Sequence, residues 1–337
     1  VGLRETLADT TPLRNEHFRR LWIANIITVI GAQLSVVAVP AQIYAITGSS
    51  AYVGLTGLFG LVPLVIFGLW GGALADAMDR RTLLLWSTGG LIVTTGLFWV
   101  QAAMGNTNVW LLLSLFAAQQ AFFAVNQPVR HAILPKLLPS AQLPAANSLN
   151  MTVAMAGAIA GPLVGGALIP VMGIASLYLL DTFALIATIF AVVRLPALPV
   201  EGVAAAPGLR SVIDGLRYLR LQPVLMMSFV VDIIAMVFGM PRALFPQMAH
   251  ENFGGPSEGG LAFALLFAAI PAGAVLGGVF SGWVSRVNRH GVAVVISIVI
   301  WGAAMALFGV AVGMAGGSSG LWLAIAVVML MAGGAAD

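Results

Sequence analysis

Ten stretches of the chain are almost wholly apolar, and short polar segments separate them. They fall at 21–45, 53–75, 83–103, 109–125, 149–172, 174–193, 224–245, 261–284, 292–314 and 321–336. Each is near the length of about 20 residues that a helix needs to cross the hydrocarbon core of a bilayer. The pattern therefore predicts an all-α polytopic membrane protein, with spans 1 to 10 in chain order. Span 6 is followed by the longest polar interruption, 194–222, so residues 1–193 form a first half and 223–337 a second. Inside the interruption, Leu209, Val212, Ile213, Leu216 and Leu219 recur at helical spacing among Arg210, Arg217 and Arg220. That spacing fits a helix lying on the membrane surface, and equally a solvated linker helix.

Composition agrees with the pattern. Sixty per cent of residues are hydrophobic and eight per cent charged, outside the range of water-soluble domains. The net charge of +3 does not point to nucleic acid, because the basic residues are scattered among short loops and form no stripe on one face. Fourteen of the fifteen instead fall at the amino terminus or in alternate loops, and only Arg242 lies on the other side. Lys and Arg collect on the cytoplasmic side of membrane proteins, so the amino terminus and the middle loop are assigned there. The chain has no cysteine, which excludes disulfides and thiolate metal sites. No metalloprotease spacing, Ser/His/Asp arrangement or phosphate-binding glycine loop occurs, so an enzyme or a nucleotide-driven pump is disfavoured and no metal or cofactor is expected.

The turn after span 2 reads Gly72-x-Leu74-Ala75-Asp76-x-x-Asp79-Arg80-Arg81. Gly71 and Gly72 allow two helices to approach closely, and Arg80 and Arg81 hold the turn on the cytoplasmic side. Asp76, a lone acid at a helix end, calls for a cap or a cationic partner. Span 5 carries Gly157-x-x-x-Gly161-Pro162-x-x-Gly165-Gly166, which favours close packing and a bend. Gly273, Gly277, Gly278 and Gly282 in span 8 offer a face on which it can mate.

Polar residues at membrane depth are candidates for function by default, because they are expensive there unless paired, hydrated or neutralised. Asp232 in span 7 and Asp181 in span 6 are the acids. Burial favours the neutral form of a carboxyl, which is what reversible protonation requires, while a structural hydrogen bond is the competing role for both. Gln33 and Gln120 stand out among Asn25, Gln33, Gln119 and Gln120 as residues that line a cavity or bond between helices. Arg242 follows Pro241 near the outer end of span 7, as an attractor of anions or an interface anchor.

The turn after span 2 resembles the loop 2-3 motif of the major facilitator superfamily, with Asp79 in place of its usual glycine. Span 5 resembles the antiporter motif of drug exporters in that superfamily, with Ser148 in place of its first glycine. Phe18-Arg19-Arg20-Leu21-Trp22, Val39-Pro40-Ala41-Gln42-Ile43, Leu195-Pro196-Ala197-Leu198-Pro199 and Ala268-Ala269-Ile270-Pro271-x-Gly273-Ala274 are similar to the enterobactin-exporter-like branch, which includes macrolide efflux proteins. The offset that joins Gly72, Asp76 and Arg80 also joins Gly282, Arg286 and His290, a degenerate repeat consistent with two pseudo-symmetric halves.

The resemblance implies a fold of twelve helices, of which ten are present and two lie beyond the last residue. It also implies a monomeric exporter in the bacterial inner membrane, moving small amphiphilic organic molecules of drug, macrolide or siderophore type. Proton exchange would drive it through alternating access, with no cofactor beyond the proton gradient. Of the two acids, the resemblance favours Asp232 for coupling, and it gives Asp76 and Arg80 a gating role. A passive channel or facilitator, and a non-transporting scaffold or fragment, are the alternatives.

Overall fold

The computed structural model describes residues 9–194, 239–280, 290–315 and 320–336, with isolated positions between 217 and 234. Within these the chain is helical: α1 (Glu16–Thr47), α2 (Ser50–Ala77), α3 (Arg80–Ala103), α4 (Val109–Leu137), α5 (Leu143–Met172), α6 (Ile174–Val193), α7 (Leu261–Val279), α8 (His290–Met314) and α9 (Gly320–Ala336). Eight of the described helices are long and apolar enough to cross a membrane, and α9 is a shorter apolar one. The last three correspond to spans 8, 9 and 10. The middle loop, apart from isolated positions, lies outside the described residues.

Local chemistry sets the helix ends. Asn15 opens α1, its Oδ1 accepting from the backbone N–H of His17 and Phe18 at 3.0 and 3.1 Å. Asp79, the departure from the family pattern, opens α3 by accepting from the Thr82 N–H at 3.2 Å and its hydroxyl at 2.9 Å. Where the family has a glycine, this chain has a helix cap. The turns between α1 and α2 and between α5 and α6 are very short. Gly48 and Gly173 close them at φ of 60° and 76°, a region in which a side chain meets the backbone.

Two boundaries differ from those expected of the apolar runs. The apolar run of span 4 ends at residue 125, but α4 continues to Leu137 through Pro128 and Pro135. Val125, Val129 and Ile133 recur every fourth residue and bury against Leu21, Leu83 and Leu84. Leu134 and Leu138 then bury against Phe18, Ala146 and Leu149. Hydropathy marks the end of the hydrocarbon layer, whereas this helix ends where its amphipathic stripe ends. At the other boundary the chain is extended at Met240, and Pro241–Leu244 forms a separate short 3-10 turn beyond span 7.

The chain divides into two compact units. Unit 1 comprises Val1–Gly31, Leu55–Ala154 and Tyr178–Phe238, and α3 and α4 pack against each other within it. Gly71 lets α2 touch α4: a Cβ there would stand 2.8 Å from the Val125 Cα. Unit 2 comprises Ala32–Gly54, Met155–Leu177 and Gly239–Asp337. In it α7 and α9 meet backbone to backbone, because a side-chain carbon on Gly273 would overlap the Met331 carbonyl and one on Gly277 the Ala335 carbonyl. Span 8 therefore uses these two glycines against α9, not against span 5.

Gly273→Val is expected to separate α7 from α9 and cost about 1–3 kcal/mol through overpacking. Gly309→Ala in α8, where an added carbon meets nothing within 4 Å, is expected to be neutral or stabilising by about 0.5–1 kcal/mol. Thermal unfolding of the two purified variants in detergent checks both signs.

Candidate functional site

Arg130 lies in α4, four residues after Asn126, so both side chains project from one face of the helix. It is 8% exposed, and the loop position expected from the apolar pattern is thereby corrected. A guanidinium is costly to remove from water, and its donors need acceptors. Its Nε donates to the Asn126 Oδ1 at 2.7 Å and its Nη1 reaches the Asn25 Oδ1 of α1 at 3.5 Å. The Asn126 Nδ2 in turn donates to the Ser87 and Thr88 hydroxyls of α3 at 2.9 and 3.0 Å. Three helices thus converge on one cation, and its Nη2 is buried with no acceptor among the described residues. Ser87 also lines an apolar cavity of about 590 Å³ that is walled by Phe67, Trp86 and Phe122.

Asp181 lies on α6 and is 1% exposed. Gly31 of α1 makes room for it: a Cβ at Gly31 would stand 2.6 Å from the Asp181 Oδ1. The same helix pair is joined by the Thr28 and Thr188 hydroxyls at 2.5 Å. One turn before the acid, Tyr178 stacks on Phe98 with ring centres 5.0 Å apart. Asp181 is thus a fully buried carboxyl in a close seam between α1 and α6.

The other sequence candidates fall into three groups. In unit 2 the glycines of α5 form a contact surface. A side-chain carbon on Gly161 would overlap Gln33, one on Gly165 would sit 3.3 Å from Leu34, and one on Gly166 would sit 2.7 Å from Ala264 of α7. The Gly166 carbonyl also accepts from the Gly260 N–H at 2.9 Å, just before α7 begins. Gly157 and Pro162 are buried in the same helix. In unit 1, Gln120 is partly buried near Gly60 of α2, and the Arg81 Nη2 donates to the Val193 carbonyl at the end of α6 at 2.5 Å. Arg80 is partly buried, with its Nε and Nη1 lacking acceptors among the described residues. Arg242 is exposed in the 3-10 turn. Asp232, the side chains of Gly72 and Asp76, and the second copy of the repeat at Gly282, Arg286 and the His290 side chain lie outside the described residues. No three His, Asp or Glu side chains come together as a metal site among the described residues.

Residues 7–336 match the family described as transmembrane secretion effector, within the major facilitator superfamily. The chain belongs to that family. The enterobactin exporter EntS of Shigella boydii serotype 18 is 28% identical over 297 residues, covering 87% of this chain and 69% of the relative. The enterobactin exporter of Escherichia coli O1:K1 is 27% identical over the same length. Among solved structures, a bacterial homologue of the iron transporter ferroportin, inward-facing, superposes with a TM-score of 0.65 at 15% identity. It covers 95% of this chain and 80% of the homologue. A bacterial homologue of the lysosomal transporter Spinster, inward-facing and unoccupied, gives 0.64 at 16% identity, covering 97% and 75%. The fold is therefore the all-α fold of the major facilitators, with nine of its helices among the described residues. The protein is a multi-pass membrane transporter and not an enzyme.

Arg130 and its partners test how this family member tolerates a buried cation. Asn126→Leu removes the acceptor that holds Arg130 and is expected to destabilise by about 3 kcal/mol. Arg130→Met removes the charge itself and is expected to cost less, because no orphaned cation remains. Melting temperatures of the two variants in one detergent should rank in that order.

Proposed function

We propose that the protein exports a small amphiphilic organic molecule, of siderophore, macrolide or drug type, by proton exchange and alternating access. Membership in the secretion-effector family, and relatives named as enterobactin exporters, support export as the direction. The observation that carries the coupling is Asp181, an ionisable residue buried in the middle of a membrane span of unit 1. Such residues mark ion and substrate pathways in membrane proteins. Asp232, by its place in span 7, is the first choice for the coupling acid, and Asp181 the second. Proton entry is energetically sufficient: one charge crossing 100 mV supplies about 2.3 kcal/mol, a concentration ratio of a few tens.

The same reading places the protein in the bacterial cytoplasmic membrane as a monomer with its amino terminus in the cytoplasm. Arg80, Arg81, Lys136 and the buried Arg130 all remain at the cytoplasmic ends of their helices when α4 is extended to Leu137. Asp76 and Arg80 help to close that side. The glycine surface of α5 supplies close contacts that rocking helices slide across, since no side chain has to be cleared.

Ethidium efflux from bacteria expressing the protein tests this reading. Efflux is expected to collapse when a protonophore is added. Asp232→Asn is expected to abolish proton-driven efflux while the protein remains in the membrane, and Asp181→Asn to reduce it less. Efflux that persists with the protonophore would make the protein a passive facilitator.

A further inference from the structure

None of the residues that join the α1–α2 turn to the segment before α7 stands out in the sequence. In the structure they form one continuous hydrogen-bonded chain within unit 2. Ser50, the first residue of α2, donates its hydroxyl to the Gln247 Oε1 at 2.7 Å. The Gln247 Nε2 donates to one oxygen of Glu251 at 2.9 Å, and the Tyr44 hydroxyl of α1 donates to the other at 2.8 Å. Both carboxylate oxygens are thus engaged, by donors from two different elements.

The two anchors are firm. Tyr44 is 4% exposed, and the His250 ring lies edge-on to it with ring centres 6.4 Å apart. The His250 Nδ1 is 2.8 Å from the Gly255 carbonyl, and the Asn252 Nδ2 donates to the Val312 carbonyl of α8 at 3.3 Å. Phe245 is fully buried against Phe267 of α7 and Phe308 of α8. The segment carrying Gln247 and Glu251 is therefore fastened to α7 and α8, while Tyr44 and Ser50 belong to α1 and α2. Two hydrogen bonds cross between these two pairs of helices on this side, the Tyr44 hydroxyl on the Glu251 carboxylate and the Ser50 hydroxyl on the Gln247 amide, with the Tyr44–His250 ring contact beside them. Such bonds contribute modestly in contact with water. Glu251 is exposed, so water replaces its partners when they leave.

We propose that Tyr44, Ser50, Gln247 and Glu251 are a latch that keeps the outer ends of α1 and α2 against the segment before α7, and that it parts whenever the outer side opens. This rests on the exporter reading and its cytoplasmic amino terminus, which put the α1–α2 turn outside. The ends of α2 settle the geometry: Ser50 starts the helix and the basic turn at Arg80 and Arg81 follows its other end.

The latch is released mechanically and not by acid. Gln247, and then Tyr44, hold the Glu251 carboxyl below the ordinary carboxylate range. A lowered value means the bonds are fully present at neutral pH and are lost only as pH falls through that depressed value. The titratable groups beside Glu251 are Tyr44, on α1, and His250, on its own segment.

Because the chain has no cysteine, Ser49→Cys and Ser257→Cys place two spin labels on either side of the latch with no background. Pulsed electron–electron resonance on the protein in nanodiscs then reads the distance between them. The wild-type background is expected to give one dominant short distance, unchanged between about pH 8 and about pH 6. Tyr44→Phe and Glu251→Ala are each expected to raise the share of a longer distance at least threefold, and the double variant to add little to either. Identical distributions in wild type and both single variants would overturn the latch, as would a double variant equal to two independent effects. Tyr44→Phe removes only a hydroxyl, so it answers the question even where Glu251→Ala folds poorly. The distances are read without a transported molecule, so loss of ethidium efflux in cells would count against the exporter reading and leave this result standing.

Discussion

In lipid, no hydrophobic force draws one helix to another, because the surrounding chains are as apolar as leucine. What remains is contact area, and contact area grows as backbones approach. The structure depends on this constraint. Gly273 and Gly277 bring α7 onto the carbonyls of α9, Gly161 brings α5 onto Gln33, and Gly31 brings α1 onto Asp181. At each place a methyl group would overlap its neighbour, so the helices are held by surfaces from which side chains are missing. Among the described glycines, only six adopt positive φ, and these close contacts fall on others that lie within helices.

The second constraint is that polar groups within such packing find each other. Arg130, Asn126, Ser87, Thr88 and Asn25 satisfy one another across three helices and leave one guanidinium nitrogen unanswered among the described residues. The arrangement fixes the register of α1, α3 and α4, because sliding any of them by one residue would leave a donor facing hydrocarbon. Asp181 is placed by the same rule, in the space that Gly31 leaves.

Much of this was legible in the sequence. Apolar runs of spanning length gave the helices, because the bilayer imposes that length whatever the partners. The loop 2-3 and span 5 motifs led to the family. The end of α4 was not legible, because the helix continues past its apolar run on an amphipathic stripe that hydropathy ignores. The spacing of Val125, Val129 and Ile133 was the available signal. Arg130 was misplaced for the same reason, and its partners Ser87 and Thr88 are ordinary residues in α3 whose meaning comes only from facing Asn126. Glycine positions reveal that close contacts exist but not with what: the sequence pairs Gly273 and Gly277 with span 5, and the structure sets them against α9. Tyr44 and Glu251 are 207 positions apart, and no local pattern links residues that far separated.

The foot of α1 has a consequence for how the chain is made. Asn15 opens that helix, and its Nδ2 donates to the Leu137 carbonyl at the end of α4, 122 residues later. Phe18 is buried by Leu134, Leu138, Ala146 and Leu149, all equally late. At about 5–20 residues per second of synthesis, that interval lasts roughly 6–24 s. During it the first helix is in the membrane with its starting turn uncovered, and three further spans are threaded beside it before the surfaces it needs emerge from the ribosome. The beginning of this protein is thus finished by its middle, and a chain arrested before residue 149 would expose Phe18 to whatever chaperone or insertase attends the nascent bundle.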